Sequence, residues 1–378
     1  MKVYFDNAAT TQVEPLVIQS MVELLQNDYG NPSSIHAQGR KARALIEGAR
    51  KYVAQLINAH PSEIIFTSGG TEADNHGLTL AVRDLGVKII ITSAIEHHAI
   101  LHTCEAMHQY FGVNILHVNL LKNGVVDLNH LEELLRAFPG PITLVSLMHA
   151  NNEIGNLLPL AHVSQLCQSF GVYFQSDMVQ SFGHFAVDFQ QVKVNFAACS
   201  AHKFHGPKGV GFFYCNNAVL PKPLIHGGSQ ERNMRGGTEN IAGIVGLAKA
   251  FELAHTQMQP HQEGIVGLKN YFMKRLKESI PAVEFNGDSA GEQLYTVLSV
   301  LMPPCKGAEM LLFNLDIRGI AVSGGSACSS GSDQGSHVLR NIGVDQSARA
   351  AVRFSFSKYN TKDEVDYCVG VLEELVNK

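Results

Sequence analysis

Residues 142–175 read ITLVSLMHANNEIGNLLPLAHVSQLCQSFGVYFQ. The two ends, 142–148 and 172–175, are short runs rich in β-branched and aromatic residues, while 160–170 between them has the spacing of an amphipathic helix. Strand, helix and strand in that order predict a parallel pair joined by a helical crossover. Moving outward, the pattern recurs. Strand-like runs occupy 63–67, 87–92, 113–118 and 209–214, and helix-like stretches occupy 34–56 and 127–137. Such alternation predicts an α/β fold, a mainly parallel sheet flanked by helices. In open sheets of this type ligands gather at the carboxyl ends of the strands, so polar residues that follow a strand-like run are the candidates for chemistry.

From about residue 241 the pattern changes. A long helical stretch is predicted to reach residue 279, followed by a strand at 296–301, a helix at 308–315, a strand at 353–356 and a helix at 362–376. These form a smaller α+β unit. The expected division is a large domain, 16–258, and a small domain made of 1–15 and 259–378. Within the latter, 323–333 is almost wholly glycine, serine and other small residues, which predicts a mobile loop carrying Cys328.

The chain has 378 residues, 45% of them hydrophobic, and a formal charge of -5. That length supports a sizeable core, and the charge offers no basic surface for nucleic acid. No apolar run is long enough to span a bilayer, and the N-terminal MKVYFDNAATTQ lacks the apolar stretch of a signal peptide, so a cytoplasmic protein is expected. The 7 cysteines form no metal-binding spacing and their odd number argues against a disulfide framework. Most lie in apolar contexts that suit buried, inert thiols. Cys328 is the exception.

Three local patterns carry chemistry. In SAHKFHGPKG, residues 200–209, Lys203 follows a strand-like run and precedes a glycine turn, the setting of a Schiff-base lysine that spends part of a cycle as a neutral amine. Upstream, Asp177 ends the run VYFQSD, where a carboxylate suits the protonated ring nitrogen of pyridoxal phosphate. Finally, FTSGGTEADN, residues 66–75, sets a strand against a glycine turn and a helix start, an anion cradle in outline that includes Gly70 and Thr71. His97, after the run at 87–92, could lend a flat ring to stack on the cofactor. Its rival is a metal site on His98, His102 and Glu105, since His98 and His102 share a helix face, but no third ligand is evident.

Taken together, these blocks resemble the cysteine desulfurases of the nitrogen-fixation and iron–sulfur-assembly type, pyridoxal-phosphate enzymes of aminotransferase class V and transferase fold type I. The likeness runs through YFDNAATT (4–11), YGNPSSIH (29–36), FTSGGTEADN (66–75), MHANNEIG (148–155), DMVQ (177–180), SAHKFHGPKG (200–209), GGSQERNMRGGTEN (227–240) and the loop of Cys328. The resemblance implies that Lys203 holds the cofactor, that His97 stacks on its ring and assists proton transfer, that Asp177 pairs with the ring nitrogen and that Gln180 touches the ring oxygen. It further implies phosphate contacts from Thr71, Ser200 and His202, with Thr238 reaching across from a second subunit of a homodimer. Asn152 and Arg353 would hold the carboxylate of L-cysteine, and Cys328 would take its sulfur as a persulfide for an acceptor protein, an iron–sulfur scaffold or a thiolation enzyme. Two positions depart from the family pattern: Ser357 replaces a glycine, which predicts a changed turn beside Arg353, and Met178 replaces a small residue beside Asp177. The longer C-terminal tail of iron–sulfur-assembly members is also missing, which sets docking to their scaffold apart from the other expectations.

Overall fold

In the computed structural model, which describes residues 1–288, 291–324 and 335–376, the alternating segments assemble into a seven-stranded sheet. Its spatial order is Ile64–Thr67, Gly211–Cys215, Phe196–Ser200, Tyr173–Asp177, Thr143–Ser146, Ile89–Thr92 and Asn114–His117. Only Gly211–Cys215 runs against its neighbours; the remaining pairings are parallel.

The side-chain period of two divides each strand between two cores. Ile64, Phe66, Ile89, Ile91, Val145, Phe212 and Tyr214 face a cluster covered by the helices Pro15–Asn27, Ala37–Leu56, Leu128–Ala137, Leu160–Phe170 and Ile241–Thr256. Ile65, Ile90, Leu144, Phe196 and Phe213 face the opposite cluster, under Gly70–Arg83 and Ala106's helix, His98–Phe111. Both faces being covered explains why the central strands are apolar without interruption. Asn114–His117, at the sheet edge, is the partly exposed exception.

The strand Phe196–Ser200, FAACS, lies in mid-sheet and supplies the strand-like run expected before Lys203; alanine and serine carry little β signal, so the sequence sets no bounds for it. The long helix expected over 241–279 is in fact two helices, Ile241–Thr256 and Met258–Ser279, broken at Gln257. Pro260 accounts for the break: it lacks the N–H that a continuous helix would use and is tolerated only in a first turn. The expected helix at 308–315 opens as a 3₁₀ turn, Ala308–Met310, before Leu311–Ile317.

A third core contains Ile265, Phe272, Leu298, Val352, Phe354 and Leu372, between the helices Met258–Ser279 and Lys362–Val376 and the antiparallel sheet of Ala351–Ser355, Val297–Leu301 and Glu284–Phe285. Val3 and Phe5 join this core. The short strand Val3–Tyr4 pairs in parallel with Ile320–Ala321, so the chain's first residues pack with its last third.

Candidate active site

Beyond the carboxyl ends of Tyr173–Asp177 and Phe196–Ser200 lies a cavity of about 210 Å³. It is lined by Gly70, Thr71, His97, Asn152, Asp177, Gln180, Ser200, His202, Lys203 and Arg353, which stand far apart in the chain. Several are placed by the end of an element. Asp177 and Ser200 are the last residues of their strands, Lys203 closes the 3₁₀ turn Ala201–Lys203, and Gly70 and Thr71 open the helix Gly70–Arg83. No side chain caps that helix, and its first two residues line the cavity, which leaves its first N–H groups as candidate anion donors there.

His97 caps the helix His98–Phe111, and its Nδ1 accepts from the Ala99 N–H at 3.1 Å. The acceptor role of Nδ1 puts the ring proton on Nε2 and fixes the ring plane. Burial holds its pKa below the ordinary value, against the pull of Asp177. Asp177 is itself buried; it accepts from the Val179 N–H at 2.9 Å, and burial pushes its carboxyl up while His97 and Lys203 pull it down. Lys203 Nζ donates to the carbonyls of Ala8 at 2.6 Å and Ala9 at 3.0 Å, and Gln180 Nε2 donates to Ala8 at 3.0 Å. His202 is pushed down to about 4 by burial and by Lys203 and Lys208.

At the other end of the cavity Arg353 is 2% exposed at its side chain. Its Nη1 donates to the Asn152 carbonyl at 2.9 Å and its Nη2 to Asp6 Oδ1 at 3.0 Å, while Nε has no hydrogen-bond partner among the described residues. Asp6 Oδ1 also accepts from Ser323 Oγ at 2.8 Å, and Arg353 N donates to the Ser323 carbonyl at 2.7 Å. The segment leading toward position 328 is thus pinned to Arg353. Cys328 itself lies outside the described residues.

Thr238 does not reach this cavity within one chain. It lines a separate recess with Ser68, Gly209, Arg235 and Glu239. Sequence reasoning missed Asp74, which lines the cavity, is 1% exposed and leaves Oδ1 without a partner among the described residues. Its signal was the helical spacing from Gly70, four residues earlier on the same face. Burial, with Asp177 and Glu96 nearby, pushes its carboxyl well up.

Among the described residues no group of three or more His, Cys, Asp or Glu side chains is arranged to hold a metal. His98 and His102 stack ring on ring at 4.9 Å instead, and His98 meets His337 at 4.6 Å. The six described cysteines are free, and burial raises every one of their thiols, Cys104, Cys167 and Cys215 to about 12. At Ser357, where a changed turn is expected, φ is not positive and the N–H donates to Asn360 Oδ1 at 2.8 Å. Met178 is fully buried in the main core and does not line the cavity, so a large side chain there fills space behind the sheet.

The aminotransferase class-V family model matches residues 3–368. This chain belongs to that family. Within the class-V aminotransferases it groups with the cysteine desulfurases. It is 42% identical to cysteine desulfurase IscS of Dictyoglomus turgidum, over all of this chain and 95% of that protein. It is 40% identical to putative cysteine desulfurase IscS 1 of Bacillus subtilis, over all of this chain and 99% of that protein. Among solved structures, a NifS-like protein superposes with a TM-score of 0.91 at 36% identity, each chain covered in full. SspA in complex with cysteine superposes with a TM-score of 0.81 at 31% identity, over 95% of this chain and all of that one. The class-V fold therefore extends over the whole chain, including the third core built from both termini.

Proposed function

We propose that this cysteine desulfurase works with pyridoxal phosphate held in the 210 Å³ cavity, uses L-cysteine as substrate and collects its sulfur on Cys328. The observation that carries the reading is the convergence on one cavity of an amine, Lys203, a buried carboxylate, Asp177, and an uncapped helix end at Gly70 and Thr71. The residues fit the group. Its phosphate suits the free N–H groups of the helix end together with the Thr71 and Ser200 hydroxyls and neutral His202, its ring nitrogen suits Asp177, and its aldehyde suits Lys203 Nζ. When bound, it supplies an electron-withdrawing ring that stabilises negative charge at the substrate's α carbon.

The chain's own groups supply the rest. Arg353, whose Nε has no partner among the described residues, and Asn152 orient the substrate carboxylate by planar, charge-assisted hydrogen bonds. Lys203 Nζ, held by the Ala8 and Ala9 carbonyls, moves the α-proton. His97, held with its proton on Nε2, presents a fixed ring and a donor to the cavity. The Cys328 thiolate attacks the substrate sulfur: the Cβ–S bond breaks, an S–S bond forms, the carbon takes a proton, and the products are L-alanine and a Cys328 persulfide. The raised thiols of the six described cysteines leave them poorly suited to that role.

Transfer of the sulfur to an acceptor protein completes the reading, as does a homodimer in which Thr238 of one subunit reaches the phosphate of the other. We place the protein in the cytoplasm; no described helix is long and apolar enough to cross a membrane. The separate cores drawn from 17–251 and from 3–5 with 265–372 support a large unit of 16–258 and a small one of 1–15 and 259–378. Mass spectrometry after exposure to L-cysteine tests the chemistry: one added sulfur atom is expected on the Cys328 peptide, with alanine released. Sulfur on another cysteine, or full turnover by Cys328→Ala, would overturn it.

A further inference from the structure

A second cavity of about 30 Å³, room for about one ordered water, abuts the first, and Ala8, Gln180 and Lys203 line both. Its wall contains His184 and Tyr295, which the chemistry above does not use. His184 stands in a tight turn. Gly183 before it has φ +78°, and a Cβ on Gly183 would come within 2.5 Å of the Phe204 Cβ, so only glycine lets this turn rest against the residue that follows Lys203. The His184 ring is caught between two partners. Nε2 is 3.2 Å from the Lys203 carbonyl oxygen and Nδ1 is 3.2 Å from the Tyr295 hydroxyl.

A carbonyl only accepts, so Nε2 carries the proton and donates it. Burial pushes the imidazole pKa down to about 4, so the ring is neutral and Nδ1 can only accept; the Tyr295 hydroxyl reaches it at 3.2 Å and also donates to the His184 carbonyl oxygen at 3.4 Å. The two rings meet edge-on at 5.7 Å, and Tyr295 is 5% exposed. Tyr295 leads into the strand Val297–Leu301, whose Ser299 pairs with Arg353, and the next residue, Thr296, accepts at its carbonyl from the Phe356 N–H at 2.8 Å. A continuous path of hydrogen bonds and short backbone therefore joins the lysine end of the cavity to the arginine end. Lys203 needs such support, because a three-residue 3₁₀ turn holds its last residue weakly.

We infer that His184 and Tyr295 form a strut that fixes the reach of Lys203 relative to Arg353, making His184 a positioning residue for the reaction. The inference rests on the reading of Lys203 as the cofactor lysine and of Arg353 as the carboxylate clamp. The strut sets the backbone from which the amine is presented, so its loss lowers the rate of the proton transfer at Lys203 more than it weakens substrate binding.

The test compares His184→Ala, His184→Gln, Tyr295→Phe and the double variant His184→Ala with Tyr295→Phe. On the holoenzyme, His184→Ala and Tyr295→Phe are each expected to lower kcat for L-cysteine about tenfold, the scale of one lost hydrogen bond, with KM changed less than about twofold. On the cofactor-free full chain, amide hydrogen exchange over residues 201–206 should quicken severalfold in both. Glutamine keeps an N–H near the place of Nε2, so His184→Gln should restore both readouts. Because one contact chain is involved, the loss in the double variant should be less than the sum of the losses in the two single variants, the Tyr295 hydroxyl keeping only its bond to the residue 184 carbonyl in His184→Ala. A lower melting temperature with kcat and exchange unchanged, additive losses in the double variant, or a raised KM at constant kcat would each overturn the strut. Tyr295→Phe removes a single oxygen and keeps the test alive if His184→Ala does not fold. Borohydride trapping of the cofactor on the wild-type chain separates the two levels: failure to recover it on the Lys203 peptide overturns the reading of Lys203, while the exchange measurement still reads the contact itself.

Discussion

Glu96 is 1% exposed, one residue before His97, and its two carboxyl oxygens accept from Ser93 Oγ at 2.7 Å and from the Met148 N–H at 2.9 Å. Burial, with the Asp177 charge adding to it, pushes its pKa up to about 8 in spite of those bonds. In the unfolded chain the same group releases its proton near 4.5. Between the two values the native state binds more protons than the unfolded one, so this residue makes stability fall as pH rises from about 4.5 to about 8, with no further loss above that. Glu96→Gln has no proton to lose and can keep both contacts. Urea midpoints at pH 5 and pH 8 should therefore show a shallower decline in the variant than in the wild type; equal declines would clear Glu96 as the source. Neither this carboxyl nor Asp74 carries a motif that marks it as buried beside Asp177, which is why the sequence pointed to one acid here where the structure has three.

At the scale of elements, the cavity exists because strands end together and loops turn tightly behind them. Gly211 shows how little room is left. A Cβ there would lie 2.1 Å from the Cys199 carbonyl oxygen and 2.9 Å from Gly69 Cα, so the strand Gly211–Cys215 can approach the turn before Gly70–Arg83 only without a side chain. Gly211→Ala is expected to cost about 2 kcal/mol of stability, the usual scale for forced overpacking. It should also weaken cofactor retention, since the displaced turn leads into the helix end proposed to hold the phosphate. Thermal unfolding and cofactor content measured on one preparation check both, and a variant with unaltered cofactor content would show that the turn does not depend on this contact. Element type was largely readable from periodicity: Leu160–Phe170 falls where the apolar spacing put it, and Gly171 in the left-handed region at φ +65° closes it. Phe196–Ser200 was readable only as a run without bounds before Lys203, because alanine, cysteine and serine become a central strand only when neighbours on both sides supply its hydrogen bonds.

The whole molecule brings its ends together. Phe5 packs against Phe272, Phe354 and Phe356, and Asp6 holds Arg353, so the first residues complete a site whose other groups come from all three thirds of the chain. Thr238, by contrast, sits in its own recess. If it serves a second subunit, mixing is decisive. A chain with Lys203→Ala and a chain with Thr238→Ala, each poor at retaining cofactor, should form a mixed dimer with one fully competent site. That site would combine Lys203 from one chain with Thr238 from the other. Cofactor retention by the isolated mixed dimer should approach half that of wild type; retention no better than the Thr238→Ala chain alone would place Thr238 in service of its own subunit.

Local pattern determined the α/β alternation, the lysine, carboxylate and glycine-turn motifs, and the family likeness, because strand and helix periods and turn chemistry act over a few residues at a time. What came only from the folded chain is the partnership of distant groups: Asp6 with Arg353, Ala8 with Lys203, His184 with Tyr295, and the three buried acids. Contacts of this kind depend on which loops meet at the strand ends and on how far water is excluded there, and neither is a property of any short stretch of sequence.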